Sequence, residues 1–246
     1  MPDPVFNSWR VLNPPRVLDK RRRIKLRIND KKILPGSTYH LFNHANGWEN
    51  IFKENQNNDF FLGRLSQHVL PVAQIYAYCL MPNHFHLLLK ITDSKTLTVY
   101  FRLLKEKQSS VKAGNIPVKL PAEELNETEL IRKISQPFSN LFNSYTQAIN
   151  KMYGRKGSLF MPNMKTEEVF GDESFCKVVH YIHANPAHHQ FVKGIDRWPH
   201  SSYKTFLSKS PTKLERNYVL KVFGGLDNFI KYHEQAIEPK NKWFDL

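Results

Sequence analysis

The sequence predicts an α+β fold, a mainly antiparallel sheet with helices packed on it. Three observations carry that prediction. From Gly36 onward, strand-like and helical stretches alternate. Two β-rich runs, "VAQIYAYCLM" and "HFHLLLKI", meet at a Pro82-Asn83 break that suits a hairpin or bulge between adjacent antiparallel strands. The helical stretches are apolar along one side, as helices covering a sheet must be.

Residues 1–35 read as a basic arm. They hold ten Lys or Arg against three Asp, with prolines at 2, 4, 14, 15 and 35. Within it "RRRIKLRI", opening on Arg21, Arg22 and Arg23, suits an edge strand, a segment lying along a phosphate backbone, or a tail. "STYHLFNHANG" then reads as a strand ending in a turn at Asn46-Gly47. "NDFFLGRLSQHVL" places Phe60, Phe61, Leu65 and Val69 at helical spacing, and the hairpin strands follow. "KTLTVYFRLL" is helical, whereas residues 105–136 are polar, carry Pro117 and Pro121, and read as an inserted loop with a short helix.

"FSNLFNSYTQAINKMY" is an amphipathic helix with Phe138, Leu141, Phe142, Tyr145 and Ile149 on one side, and Gly154 is placed to end it. "GSLFMP" gives a short strand or turn and "KTEEVF" another strand. The helix "DESFCKVVHYIHANP" starts near Asp172 and is expected to stop at Pro186. An amphipathic "YVLKVFGGLDNFIKYH" follows "DRWPHSSY". The domains are therefore an arm over 1–35, a main unit over 36–210 with the 105–136 insertion, and a helical extension over 211–246.

With 246 residues and 41% hydrophobic content, the chain is long enough to bury a sizeable core. No apolar run nears the roughly 20 residues of a membrane span. The N-terminal segment lacks an apolar signal core and the chain has two cysteines, which together predict a reducing, cytoplasmic setting. A net charge of +14 suits a polyanion, nucleic acid first among them, although a solvated basic surface has the same composition.

The chemistry gathers in two places. In "CLMPNHFHLLLK", His84 and His86 stand at i and i+2, so a strand projects both from one face with Phe85 and Leu87 on the other. Two imidazoles on a rigid element suit a divalent ion, with Mn²⁺, Co²⁺ and Zn²⁺ accepting nitrogen more readily than Mg²⁺. Two half-buried histidines bonded to backbone or water have the same spacing. In the later helix, Phe175, Val178, Val179 and Ile182 form the buried stripe, and Tyr181 and Asn185 share a flank with Lys177 and Ser174. His180 and His183 lie off that flank and are expected to be solvated. A metal, a phenol and a basic surface suit phosphodiester cleavage. The ion neutralises charge, and tyrosine forms a phosphotyrosine link that keeps the bond energy for rejoining. Arg155 and Lys156, beside Gly157, suit a phosphate or equally a charged turn without contacts, and Lys177 also suits a phosphate. Tyr153 suits base stacking, while Tyr145 belongs to the core.

"AYCLMPNHFHLLLK" resembles the histidine–hydrophobic–histidine motif of the IS200-like, single-tyrosine transposases. "SFCKVVHYIHANPAHHQFVKGIDRWPHSSY" resembles the tyrosine region of their REP-associated branch, and "YHLFNHANGWENIF", "GRKGSLF" and "VFGGLDNFIKYH" also look like that branch. The likeness spans about residues 36–235. It implies a ferredoxin-like domain, metal ligation by His84, His86 and Asn185, and Tyr181 as nucleophile. It also implies Mg²⁺ or Mn²⁺ as cofactor and single-stranded hairpin DNA as partner, with tyrosine taking the 5′ phosphate and freeing a 3′ hydroxyl. Family members include dimers that share sites and others in which one chain suffices, so monomer and homodimer both stay open. The other readings are a non-catalytic DNA- or RNA-binding protein of the same fold, and a zinc site using Cys79 or Cys176, which lacks any C-x-x-C pair.

Overall fold

Strand Thr38–His44 (β1) shows why the sheet is buried on both faces: all five of its central residues are buried, two of them polar. The computed structural model describes residues 33–112, 114–117 and 125–234. Arg21, Arg22 and Arg23, most of the 1–35 arm and residues 235–246 lie outside the described residues. After β1 come helix α1 (Asn55–His68), strands β2 (Ala73–Met81) and β3 (His84–Ile91), and helices α2 (Ser94–Lys112) and α3 (Glu127–Met152). Strand β4 (Lys165–Glu168) and helix α4 (Gly171–His188) follow, then a 3₁₀ turn at Ile195–Arg197 and the short helices α5 (Tyr203–Leu207), α6 (Arg216–Val222) and α7 (Leu226–His233).

The sheet order is β2-β3-β1-β4 and all neighbours are antiparallel. With one crossover between β1 and β2 and another between β3 and β4, this is the ferredoxin-like arrangement, so the expected α+β class is the observed one. The β2–β3 hairpin turns on Pro82-Asn83, with Met81 opposite His84. A bulge lies further back, at Tyr76, between Ile75 and Ala77. It sends both Tyr76 and Ala77 to the same face, so the alternation of β2 changes phase there.

One core fills the face covered by α1 and α3. Phe85, Leu87 and Leu89 of β3 meet Leu41 of β1, Phe61 and Leu65 of α1, and Phe138, Leu141 and Tyr145 of α3. The second core fills the other face, where Cys79, Met81 and Leu88 meet Phe175, Val178, Val179 and Ile182 of α4 and Phe229 of α7. The free edge of β2 is covered by the segment after the 3₁₀ turn. Leu80 N–H donates to the His200 carbonyl (2.9 Å), Ser202 N–H to the Tyr78 carbonyl (2.9 Å), and Trp198 Nε1–H to the Leu80 carbonyl (3.0 Å).

Phe85, between the two histidines, points away from them into the first core and meets Phe61 at 5.1 Å and Phe142 at 5.7 Å between ring centroids. Phe85→Ala is expected to cost about 3–5 kcal/mol in chemical denaturation. A loss under about 1 kcal/mol would mean that this face is not packed as described.

Three elements depart from expectation. First, α2 runs on to Lys112 and α3 starts at Glu127, inside the stretch expected to loop. Asn126 and Glu129 form a capping box, with Glu129 N–H donating to Asn126 Oδ1 (2.9 Å) and Asn126 N–H to Glu129 Oε2 (3.2 Å). Leu130 and Ile134 extend the buried stripe through Pro137. Pro137 costs a helix interior roughly 3 kcal/mol, and each buried apolar side chain returns roughly 1.5–3 kcal/mol, so packing wins. Second, Pro186 does not stop α4, which continues to His188. Proline forfeits a single N–H bond there, and His189 N–H still reaches the Asn185 carbonyl at 3.1 Å. Third, "YVLKVFGGLDNFIKYH" is broken into α6 and α7, because Gly224 and Gly225 adopt φ of +77° and +116°, which side chains with a Cβ avoid.

Candidate active site

The second face of the sheet carries a histidine cluster where β1 ends and β3 begins. The antiparallel register sets His44 opposite His84 and Phe42 opposite His86. Side chains at i and i+2 share a face, so His40, Phe42 and His44 of β1 stand beside His84 and His86 of β3. The His44 and His84 rings stack with centroids 5.0 Å apart and planes at 7°. His40 Nε2 lies 3.0 Å from His86 Nδ1, and both residues are buried.

Helix α4 lies over this cluster because its apolar stripe docks into the second core. That docking brings the flank bearing Tyr181 and Asn185 down on the histidines. The Tyr181 ring meets the His86 ring edge-on at 5.6 Å and the His40 ring at 5.8 Å. Asn185 Oδ1 is 3.0 Å from His84 Nε2. Tyr181 is 8% exposed and Asn185 1%, so both are buried. The four residues picked out from sequence, His84, His86, Tyr181 and Asn185, are thus together.

The electrostatics favour neutral imidazoles. Burial pushes the His40 pKa down to about 3. Burial, and then the neighbouring His40, His84, His189 and His44, hold His86 well below the usual histidine range. His44 is lowered by burial, by His189 and by Lys165. Neutral imidazole is the form that ligates metals.

The donor set fits a divalent cation. Two amide oxygens flank the His84 ring, Asn83 Oδ1 at 2.8 Å from Nδ1 and Asn185 Oδ1 at 3.0 Å from Nε2. A neutral ring has a single N–H. If Nδ1–H donates to Asn83, the Nε2 lone pair and an Asn185 oxygen lone pair face each other. A cation between them removes that repulsion, and neighbouring ligands in an octahedral shell of Mg²⁺ at ~2.1 Å stand about 3 Å apart. Asn185 Nδ2 is buried with no hydrogen-bond partner among the described residues, so the amide is turned with its oxygen toward the histidine at the expense of its nitrogen. An N–H of the ligating ring held by an oxygen is also the usual support of metal-bound histidine. Among the described residues, no group of three or more His, Cys, Asp or Glu is arranged to hold a metal ion. The set here is two imidazoles and an amide oxygen.

The candidate DNA contacts are dispersed. Lys177 is exposed one turn before Tyr181 on the same flank and pairs with Glu173 at 2.6 Å. Arg155 is committed to Glu49 (2.5 Å) and to Asn150, while Lys156 is exposed. Their loop reaches the site's rim, since Met161 N–H donates to the His44 carbonyl at 2.9 Å. Tyr153 bonds Glu54 and Asn57, with Lys53 4.6 Å above its ring. Tyr145 is a core residue whose hydroxyl donates to the Ile51 carbonyl (2.9 Å). Cys79 lies in the second core and Cys176 on α4, and burial pushes both thiols up, Cys176 to about 11.

Sequence reasoning gave no role to His40, His44 or His189, whose ring lies 5.1 Å from that of His84. The signal for the first two was present, because "YHLFNH" places His40, Phe42 and His44 at strand spacing. Lys165 and Glu167 of β4 also face this side, opposite Phe42 and His40.

His183 was expected to be solvated and is fully buried. Its Nδ1 lies 2.9 Å from His233 Nε2 and its Nε2 2.7 Å from Ser202 Oγ, while His233 Nδ1–H donates to the Phe229 carbonyl at 2.8 Å. His180 is partly buried beside Tyr232. Helix α7 covers the side of α4 that the local pattern left bare. Burial lowers His233 to about 3. Its folded pKa is below the unfolded ~6.5, so its contribution is present above that value and is lost as pH falls toward 3. Unfolding free energy is expected to decline below about pH 6.5, by up to ~1.4 kcal/mol per pH unit for this residue. His233→Gln should flatten that slope in denaturation measured from pH 7 to 4. An unchanged slope would place the acid sensitivity elsewhere.

No protein-family model matches the chain, and no curated protein matches it. Among solved structures it is similar to a REP-associated tyrosine transposase bound to a REP hairpin. The identity is 14% over 74% of this chain and 87% of that one, with a TM-score of 0.48. Among the described residues, no helix is long and apolar enough to cross a membrane.

Proposed function

We propose that this chain is a metal-dependent enzyme that nicks single-stranded hairpin DNA and transfers the strand through a 5′-phosphotyrosine link, in the manner of the IS200-like, single-tyrosine transposases. The observation that carries the reading is the meeting of Tyr181 and Asn185 of α4 with His84 and His86 of β3. Those are the residues that the family resemblance assigns to the chemistry.

His84, His86 and Asn185 would hold Mg²⁺ or Mn²⁺, which when bound neutralises phosphate charge and polarises phosphorus. Tyr181 Oη forms the new bond to phosphorus as the bond to the 3′ oxygen breaks. The phenolic proton is lost and the departing 3′ oxygen leaves as a hydroxyl. In the reverse sense, a 3′ hydroxyl attacks the phosphotyrosine and the phenol is released, so no bond energy is spent on water. The buried wall around Tyr181 fixes the direction of its ring against His40 and His86, which supplies orientation. Lys177 and Lys156 add cations to the approach of a phosphate backbone.

The test is incubation of the full chain with hairpin-bearing single strands and Mn²⁺, followed by denaturing electrophoresis. An SDS-resistant protein–DNA adduct that EDTA abolishes is expected. Tight hairpin binding without any adduct, over a panel of hairpins and flanks, would instead favour a binding protein of the same fold.

A further inference from the structure

The resemblance gives His40 no role, and the reaction as written does not use its ring nitrogens. Yet it is fully buried, at no gain in apolar area that leucine would not exceed. Its Nε2 is 3.0 Å from His86 Nδ1, and its ring stacks near that of His86, with centroids 5.1 Å apart and planes at 18°. The same ring meets Tyr181 edge-on at 5.8 Å. It therefore touches both the histidine pair of β3 and the tyrosine of α4.

We infer that His40 is a positioning residue that fixes the tautomer of His86, accepting the His86 Nδ1–H at its own Nε2 and so leaving the lone pair on His86 Nε2. The contact between the two rings is geometric, and the choice of donor rests on the metal reading above. A single proton sits between the two nitrogens. If His40 donated it, His86 would carry its own proton on Nε2 and could not ligate through that atom, while Nδ1 is already occupied by His40. With His86 as donor, His40 holds its remaining proton on Nδ1. Both rings are neutral in either arrangement, as their burial requires, and ligation through His86 Nε2 is what selects this one. The arrangement parallels Asn83, whose Oδ1 lies 2.8 Å from Nδ1 of His84. Each histidine of the pair thus has its Nδ1 engaged by a neighbour and its Nε2 remote from it, and the two donors are set by outer partners from different elements. Such partners typically change metal affinity by about 10–100-fold when removed.

The tautomer is read by long-range ¹H–¹⁵N spectra of metal-free, histidine-labelled protein, with the His86 signals assigned by their loss in His86→Gln. The expected pattern is a proton on Nδ1 of His86 in the native chain and a shift toward the Nε2–H form in His40→Ala. His40→Gln, whose amide oxygen can still accept, should retain the native pattern. In Mn²⁺ titrations followed by electron paramagnetic resonance, His40→Ala should bind about 10–100-fold more weakly and His40→Gln less so. A proton on Nε2 of His86 in the native protein overturns the inference, as does undiminished Mn²⁺ affinity in a folded His40→Ala. Should the native chain take up no Mn²⁺ while His86 carries its proton on Nδ1, the metal reading fails and the inference about His40 stands. The native spectrum needs no variant, so a substitution that fails to fold does not shield the claim.

Discussion

Tyr181→Phe is expected to abolish the covalent DNA adduct and to lower nicking by on the order of 10³-fold or more, while hairpin binding stays within about twofold. The asymmetry follows from the geometry. Loss of the hydroxyl removes the oxygen proposed to attack, yet the ring that packs edge-on against His86 and His40 is kept, so α4 retains its seat. In the proposed reading, binding rests on cations and surface that the substitution does not touch. The check is a pair of measurements on one preparation: adduct yield after denaturing electrophoresis, and hairpin affinity by anisotropy at fixed salt. An adduct persisting in Tyr181→Phe would move the nucleophile to another side chain. A parallel loss of binding would show that the ring, not the hydroxyl, carries the effect.

The second large effect concerns the imidazoles. His84→Ala and His86→Ala are each expected to weaken Mn²⁺ binding and to lower nicking by on the order of 100-fold or more, with the fold kept. His84 faces Asn83 and Asn185, so its removal leaves two amide oxygens without the ring between them. His86 faces His40, so its removal strands a buried histidine nitrogen as well. The stability loss should therefore be measured beside the affinity, by denaturation and Mn²⁺ titration of the same variants. The affinity loss should exceed what the unfolded fraction explains. Full Mn²⁺ affinity in both variants would remove the histidine pair from the metal site.

How much of this was legible in the chain depended on whether the signal was local. The spacing of His84 and His86 and their hairpin followed from strand periodicity and a Pro-Asn break. The shared flank of Tyr181 and Asn185 followed from helical periodicity, and the Tyr145 stripe did too. What failed was set by contacts between distant segments. The burial of His183 comes from α7, which a local window does not contain. The neighbourhood of His40 and His44 required knowing that β1 pairs with β3 in a given register, although their alternation was in plain view. The polar stretch around α2 and the start of α3 misled for another reason. Solvated helical turns need only good helix formers and a cap, so polar composition alone does not separate them from a loop.

The most direct measurement is mass spectrometry of a protease digest of the Mn²⁺-dependent adduct. The account predicts a nucleotide joined through its 5′ phosphate to Tyr181, and a free 3′ hydroxyl on the released strand. A link to any other residue, or an adduct that forms equally without metal, would contradict it.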